Sequence, residues 1–404
     1  MRPIILLLAL LSANWTYGQP NAGLIAYYSF DDCSANDQSG NGSNGSIVGN
    51  PICDCGVFGN ALELNGIDDR ILFLGTVNNN FNRRDFTISL YIKPTDLLGT
   101  KDLLSKRQAC DENNALALRF SPASNFISGV VAENSSKTAS VGSSLDFGRC
   151  WQHIVLMREG NRSSLYINGV LRQQSTAASR IDLTNNEVLS IGDGPCSGVT
   201  DTRYGGFIDE IRIYDRALDN DELASLYLAP DRILNPDTTL FLGSAINIRT
   251  TESCADNFSW SPVTDISDST DPMATITPSQ AGLFDYTLSF NDGRCIAFDT
   301  IQLTVIDPNS LDCQTVFLPN AFTPNGDNRN DTYGISNPFA VQNLLSLEIF
   351  DRWGGRVFFT TDPFEAWDGS FQGEPVNPGV MLYRVRYVCD GEEQSDVGSL
   401  TIIR

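Results

Sequence analysis

The sequence predicts an all-β chain built from several sandwiches in series. Three observations carry that prediction. Apolar residues alternate with period two along nearly every patterned segment, Gly, Asn, Asp and Pro punctuate those segments at short intervals, and two Pro- and Asp-bearing joints divide the chain. The 404 residues suffice for about two to four domains. With 41% of them hydrophobic, each piece can bury a core of its own.

The segments follow in order. Met1-Arg2, the apolar run Ile4 to Leu11 and the small-residue site at Thr16-Tyr17-Gly18 predict an export signal over 1–18, removed before Gln19. That run is too short to span a bilayer, and no later stretch approaches about 18 apolar residues, so no membrane span is expected. Phe86, Ile88, Leu90 and Ile92 alternate with Thr87, Ser89, Tyr91 and Lys93, which predicts a half-buried strand. Asn168-Gly169 stands between two alternating runs and predicts a tight hairpin, because both residues accept positive φ. One short helix is expected near 220–228, capped by Asp219 with Glu222 completing a capping box and Leu223, Leu226 and Tyr227 forming its apolar face. The joints fall around 229–236 and 307–312. The expected domains are therefore 19–232, 233–308 and 313–404.

Composition removes several function classes. The chain holds 49 acidic and 27 basic residues, a net charge of −22, and such a surface repels nucleic-acid phosphates and anionic lipid. His153 is the single histidine, so a zinc site with two imidazoles is excluded. Ten cysteines in an exported chain predict disulfides. Spacing alone does not fix their pairing, and pairs inside one expected domain, Cys254–Cys295 and Cys313–Cys389, are preferred.

Three resemblances follow from longer blocks. LIAYYSFDD, FGNALELNGIDDRI, FTISLYIKP, WQHIVLMREG, LYINGV and GGFIDEIRIYDRALDNDELASLY, in that order, resemble the laminin-G-like, concanavalin-type jelly rolls. That family implies a two-sheet sandwich binding glycans or proteins, often beside a structural calcium, and catalytic only in some relatives. The middle piece, with Ser259-Trp260-Ser261-Pro262, LFDYTLSFNDGRC and IQLTVID, resembles the immunoglobulin- or PKD-like repeats of bacterial surface proteins, which serve mainly as spacers. The last piece, with FLPNAFTPNGDNRND, LEIFDRWGGRVF, AWDGSFQGEPVNPGVMLYRV and GSLTIIR, resembles the gliding-motility-associated C-terminal domain of Bacteroidota. It implies export by the type IX system, with that machinery as a partner and a secreted or outer-surface location. The expected fold is thus a jelly-roll sandwich, an Ig/PKD-like sandwich and a small C-terminal β-sandwich.

Candidate sites are fewer. Gly40 to Gly45 fits G-x-G-x-x-G, but no strand precedes it and no helix follows, so the glycines serve turns and not a dinucleotide. In FIDEIRI, Asp209 shares an alternation face with Phe207, Ile211 and Ile213, and a carboxylate among them needs a partner. The jelly-roll resemblance implies a calcium held by Asp31, the Asn65-Gly66 turn and Asp209. A salt bridge to an arginine such as Arg70, or a hydrogen-bonded loop anchor, answers the same need. His153 reads as a hydrogen-bonded core histidine facing the same way as Trp151 and Val155. The concanavalin-class glycosidase strand E-x-D-x-x-E is missing, since Asp209 and Glu210 are adjacent and point to opposite faces.

The expectation is a non-catalytic, lectin-like protein binding an extracellular glycan. A protein-binding adhesin is the first alternative and a concanavalin-class glycosidase or lyase the second. Arg107, Arg119, Tyr204, Glu210 and Arg212 are the expected ligand contacts, from alternation and loop position.

Overall fold

In the computed structural model, which describes residues 19–308, 311–325, 330–341 and 343–403, the alternating segments become strands and the strands pair into sheets. The expected export signal over 1–18 lies outside the described residues. The first eight-stranded sheet runs in the order Val170–Thr176, Arg162–Ile167, Gln152–Glu159, Phe86–Pro94, Gly205–Tyr214, Asn60–Asn65 and Ile52–Cys55. Leu24–Tyr28 also pairs with Gly205–Tyr214. The second sheet, of nine strands, runs Lys137–Thr138, Phe126–Asn134, Ala115–Ser121, Lys101–Lys106, Leu189–Ile191, Arg70–Phe73 and Gly45–Val48. Val141–Ser144 and Thr202–Arg203 pair beside that path. One core fills the sandwich, with Leu62, Ile88, Leu104, Leu118, Ile154 and Ile208 among its buried members.

The turn and the capping box form as expected, but the helix is shorter than 220–228, and Tyr227 lies beyond it, packed against the cluster of Val57, Tyr91, Trp151 and Phe207 rather than beside Leu223 and Leu226. Asn168 and Gly169 take φ of 50° and 76° between the strands Arg162–Ile167 and Val170–Thr176, so both central residues occupy the left-handed region that hairpin turns require. The helix spans Asn220–Ser225, and Asp219 and Glu222 exchange both capping-box hydrogen bonds, at 2.9 and 3.1 Å. Phe86–Pro94 is not half-buried as expected. Its outward face is covered too, because Leu218, Leu223 and Leu226 pack on Val155, Met157, Tyr166 and Tyr214, while Val57 joins Tyr91, Trp151 and Phe207.

The strand Gly205–Tyr214 corrects the alternation read from FIDEIRI. Its register shifts between Asp209 and Arg212, and Glu210 has φ of 50°. This bulge adds one residue, so Ile208, Ile211 and Ile213 all reach the inter-sheet core, while Phe207 joins the outer cluster. Asp209 therefore does not share a face with Ile211 and Ile213.

Cys313–Cys389 forms as expected, whereas Cys254–Cys295 does not. The other bridges are Cys33–Cys53, Cys55–Cys254, Cys110–Cys196 and Cys150–Cys295. Two of them cross from the jelly roll into the middle piece. The physical reason is proximity: Cys55 and Cys254 have Cα atoms 5.7 Å apart and Cys150 and Cys295 5.8 Å, the span a disulfide requires.

The chain divides into two compact units. The first runs through Pro236 and takes in Asn247–Thr275 and Tyr286–Ile301; the second comprises Asp237–Ile246, Ile276–Asp285 and Gln302–Arg404. Within the first, Lys93 Nζ lies 2.6 Å from Asp292, Arg149 and Arg232 flank Asp299 at 3.1 and 2.9 Å, and Arg294 meets Glu63 at 2.7 Å. Within the second, a five-stranded sheet runs Ala321–Phe322, Glu392–Ile402, Gly379–Cys389, Asn343–Phe350 and Arg356–Thr360. It packs Trp367, Tyr333, Phe322 and Leu400 on one side of its core and Leu347, Val385 and the Cys313–Cys389 bridge on another. Among the described residues no helix is long and apolar enough to cross a membrane.

Candidate functional site

The outer face of the second sheet carries a cluster of buried charged and polar side chains. Along Arg70–Phe73 and Leu189–Ile191, alternation sends Ile71, Phe73, Leu189 and Ile191 into the core and leaves Arg70, Leu72 and Ser190 outside. In Lys101–Lys106 the register shifts between Asp102 and Leu104, so Leu103 and Leu104 both enter the core. Asp102 and Ser105 are thereby freed for the outer face. Arg107 follows directly. The disulfide Cys110–Cys196 ties the segment after Arg107 to the segment that carries Asp193, Gly194 and Asp201.

These elements line a pocket of about 160 Å³ with Arg70, Ser105, Arg107, Glu187, Ser190 and Asp193 at its walls. Arg107 Nη2 donates to both oxygens of Asp102 at 3.0 Å. Arg119 donates Nε to Asp201 at 2.6 Å, and its Nη2 to the other oxygen of the same carboxylate. Asp193 lies 3.7 Å from Arg70 and 3.1 Å from Arg203. Burial pushes the Asp102 carboxyl above its ordinary range, Arg107 acts against that shift, and Asp201 adds to it. A Cβ at Gly194 would overlap Asp102 and Ser105, so a glycine is required there.

Two side-chain atoms of the pocket residues lack hydrogen-bond partners, as do Arg203 Nε beside Asp193 and five others elsewhere among the described residues. Ser105 Oγ and Arg107 Nε are buried and have no hydrogen-bond partner among the described residues, in side chains only 2% and 6% exposed. A buried polar atom left unpaired costs about 1–3 kcal/mol. Ser105 and Arg107 both line the small pocket, whose walls thus offer hydroxyl and guanidinium donors beside the carboxylates of Glu187 and Asp193.

Of the five expected contacts, Arg107 lines the pocket and Arg119 joins it through Asp201 and Asp102. Tyr204, Glu210 and Arg212 do not belong to it. Tyr204 is wholly buried, its hydroxyl donating to the Phe207 carbonyl at 3.1 Å. Glu210 and Arg212 form a buried ion pair at 3.1 Å on the other sheet, with the Tyr27 hydroxyl donating to Glu210 at 2.7 Å and the guanidinium 3.6 Å from the Tyr27 ring. The bulge placed them there. Ser105, Arg70 and Asp193 were not among the expected contacts. The signal for Ser105 was present in KDLLSK, where two consecutive leucines between polar residues mark a bulge that puts Asp102 and Ser105 on one face.

The implied calcium set does not assemble. Asp31 accepts the Asn60 N–H at 3.2 Å, and Asp209 accepts N–H groups of Val57, Glu210 and Phe58 at 2.7, 2.8 and 3.4 Å, all near one end of the strand Asn60–Asn65. Asn65 and Gly66 stand at the far end of that strand, about 16 Å away at strand rise. Asn65 Oδ1 is itself occupied by three backbone N–H groups, of Ile67, Asp68 and Asp69. Oxygens already serving N–H donors at two ends of a strand do not fit one calcium ion. The loop-anchor alternative describes Asp209 instead.

His153 is a buried core residue, as expected. Its Nε2 lies 2.8 Å from Ser89 Oγ, its ring stacks on Tyr91 at 4.5 Å, and burial pushes its pKa down to about 3. The serine beside it is 1% exposed, so substrate cannot approach this pair.

Residues 66–224 match the concanavalin A-like lectin/glucanases superfamily, and residues 316–402 match the type IX secretion signal domain. The chain carries both domains. The concanavalin-like domain holds the pocket, and the secretion signal domain marks the protein for export to the cell surface or beyond it. No curated protein matches the chain. Among solved structures, domain 4 of an extracellular arabinanase from Geobacillus stearothermophilus, in complex with arabinotriose, is 24% identical with a TM-score of 0.36, covering 50% of this chain and 98% of that one. The binding domain of botulinum neurotoxin serotype D/C is 13% identical with a TM-score of 0.45, covering 94% and 78%. A Trypanosoma rangeli sialidase is 17% identical with a TM-score of 0.39, covering 52% of this chain and only 34% of the sialidase.

Proposed function

We propose that the protein is a non-catalytic carbohydrate-binding protein, delivered to the cell surface or released from it, whose concanavalin-like domain holds sugar in the pocket on the second sheet. One observation carries this reading: Ser105 and Arg107, whose Oγ and Nε have no hydrogen-bond partner among the described residues, line the same small polar pocket. A saccharide hydroxyl is donor and acceptor at once, so it satisfies a serine hydroxyl, a guanidinium N–H and a carboxylate rim together. Four arginines and three aspartates around the pocket stand in ion pairs, which leaves little net charge to select an ionic ligand.

Binding without catalysis is supported by the state of the carboxylates. Asp102, Asp193 and Asp201 are each engaged by guanidinium groups, which leaves Glu187 alone on the pocket wall, whereas a glycosidase needs a pair of working carboxyls. Incubation with polysaccharides is expected to release no reducing sugar.

The test is a glycan array probed with the full chain, once in calcium and once in chelator. Binding to a sugar class that is equal in both buffers is the expected result, since the calcium set does not assemble. Binding lost in chelator would restore a metal role. No glycan bound, with a protein partner captured instead, would favour the adhesin.

A further inference from the structure

Phe147 is 86% exposed, on a loop that is firmly held. Leu145 N donates to Asn125 at 2.8 Å, Gln152 Nε2 donates to the Asp146 carbonyl at 2.8 Å, and Cys150 is bridged to Cys295. The Asp146 carboxylate accepts from Arg172 at 2.6 Å and from Asn168 at 2.9 Å. Burying a phenylalanine is worth about 1.5–3 kcal/mol, yet this one faces solvent.

Two cavities meet at that ring. One, of about 590 Å³, has Pro94, Leu97, Pro122 and Arg294 among its walls; the other, of about 410 Å³, has Asn168, Val170, Tyr227 and Arg232. Asp146, Phe147 and Arg149 line both. The ring is therefore a ridge between two adjoining pockets, a layout suited to a chain that crosses it. Every charged side chain in the two linings is in an ion pair: Asp146 with Arg172, Arg149 and Arg232 with Asp299, and Arg294 with Glu63. With these charges paired, Arg149 and Arg232 sharing one carboxylate, the cleft suits a ligand that offers an apolar face to the ring and hydroxyls to the walls.

We propose that this cleft is a second binding site that takes a neutral, extended glycan chain, one sugar lying with its C–H face on Phe147 and its neighbours in the two pockets. The inference rests on the carbohydrate-binding reading but uses none of the residues of the Ser105 pocket.

The test titrates the full chain with cellohexaose, mannohexaose, xylohexaose and arabinohexaose and with the matching disaccharides, for wild type, Phe147→Ala and Ser105→Ala. At 86% exposure Phe147 can be truncated without loss of folding, which a melting curve verifies. The expected result is a hexaose bound more tightly than its disaccharide by wild type, and weakened about tenfold by Phe147→Ala, with disaccharide binding retained. Hexaose binding indifferent to Phe147→Ala but weakened by Ser105→Ala overturns the second site and leaves the first. Sensitivity to Phe147→Ala alone upholds the second site and removes the first. Absence of any binding, or a peptide ligand held through Phe147, overturns the inference.

Discussion

Asp209 is wholly buried, and its two oxygens accept three backbone N–H groups that fasten the turn after Cys55 to the central strand. Burial and the neighbouring Glu210 push its pKa up to about 8, against the pull of those donors. The unfolded chain releases this proton near pH 4 and the folded one near 8, so the folded state holds more protons in between. This contribution to stability is full below about pH 4 and lost as pH rises towards 8. His153 works the other way: its pKa of about 3 lies below the unfolded value near 6.5, so its contribution is full above about 6.5 and lost as pH falls towards 3. Melting temperatures measured across pH 4–8 for wild type and Asp209→Asn should converge as pH rises, and parallel curves would contradict the assignment. The sequence announced a carboxylate in need of a partner. It did not announce which, because the bulge at Glu210 resets the alternation from which faces are read.

Single elements were more readable than their pairing. The Asn168-Gly169 hairpin, the capping box of Asp219 and Glu222 and the strand Phe86–Pro94 each follow from local chemistry, and each forms. The bridges Cys55–Cys254 and Cys150–Cys295 span 199 and 145 residues and depend on which loops meet in space, information no spacing holds. By the loop-entropy argument the second stabilises by at most about 5 kcal/mol. Replacing Cys150 and Cys295 together by serine should lower the denaturant midpoint markedly, while the same change at Cys33 and Cys53, which close only 20 residues, should cost less. Equal losses from the two double variants would count against that ordering.

At the scale of the whole molecule, the three sandwiches expected from the sequence are found as β structure, but the middle piece is not a free spacer. Two disulfides and the pairs Lys93–Asp292 and Arg149–Asp299 join it to the jelly roll. Local alternation shows where strands lie, and says nothing of a lysine such as Lys93, 3% exposed, whose partner stands 199 residues on. A fragment ending at residue 232 would leave Cys55 and Cys150 as thiols and Lys93 without its carboxylate. It should melt well below the full chain and titrate two free thiols; a fragment as stable as the full chain would contradict this account. The secretion signal domain makes a separate prediction: deleting residues 313–404 should abolish appearance at the cell surface and in the medium, measured by surface proteolysis and immunoblot.

The pocket of Ser105 and Arg107 is proposed to hold sugar. The most direct measurement compares wild type and Ser105→Ala in melting temperature and in calorimetric affinity for the best array glycan. Removing a buried hydroxyl that has no partner should leave stability unchanged or raise it, while losing a ligand hydrogen bond of about 0.5–1.5 kcal/mol should weaken binding by about two- to twelvefold. Stability held and affinity reduced is the result predicted. Affinity unchanged in a variant that folds as well as wild type would contradict the claim.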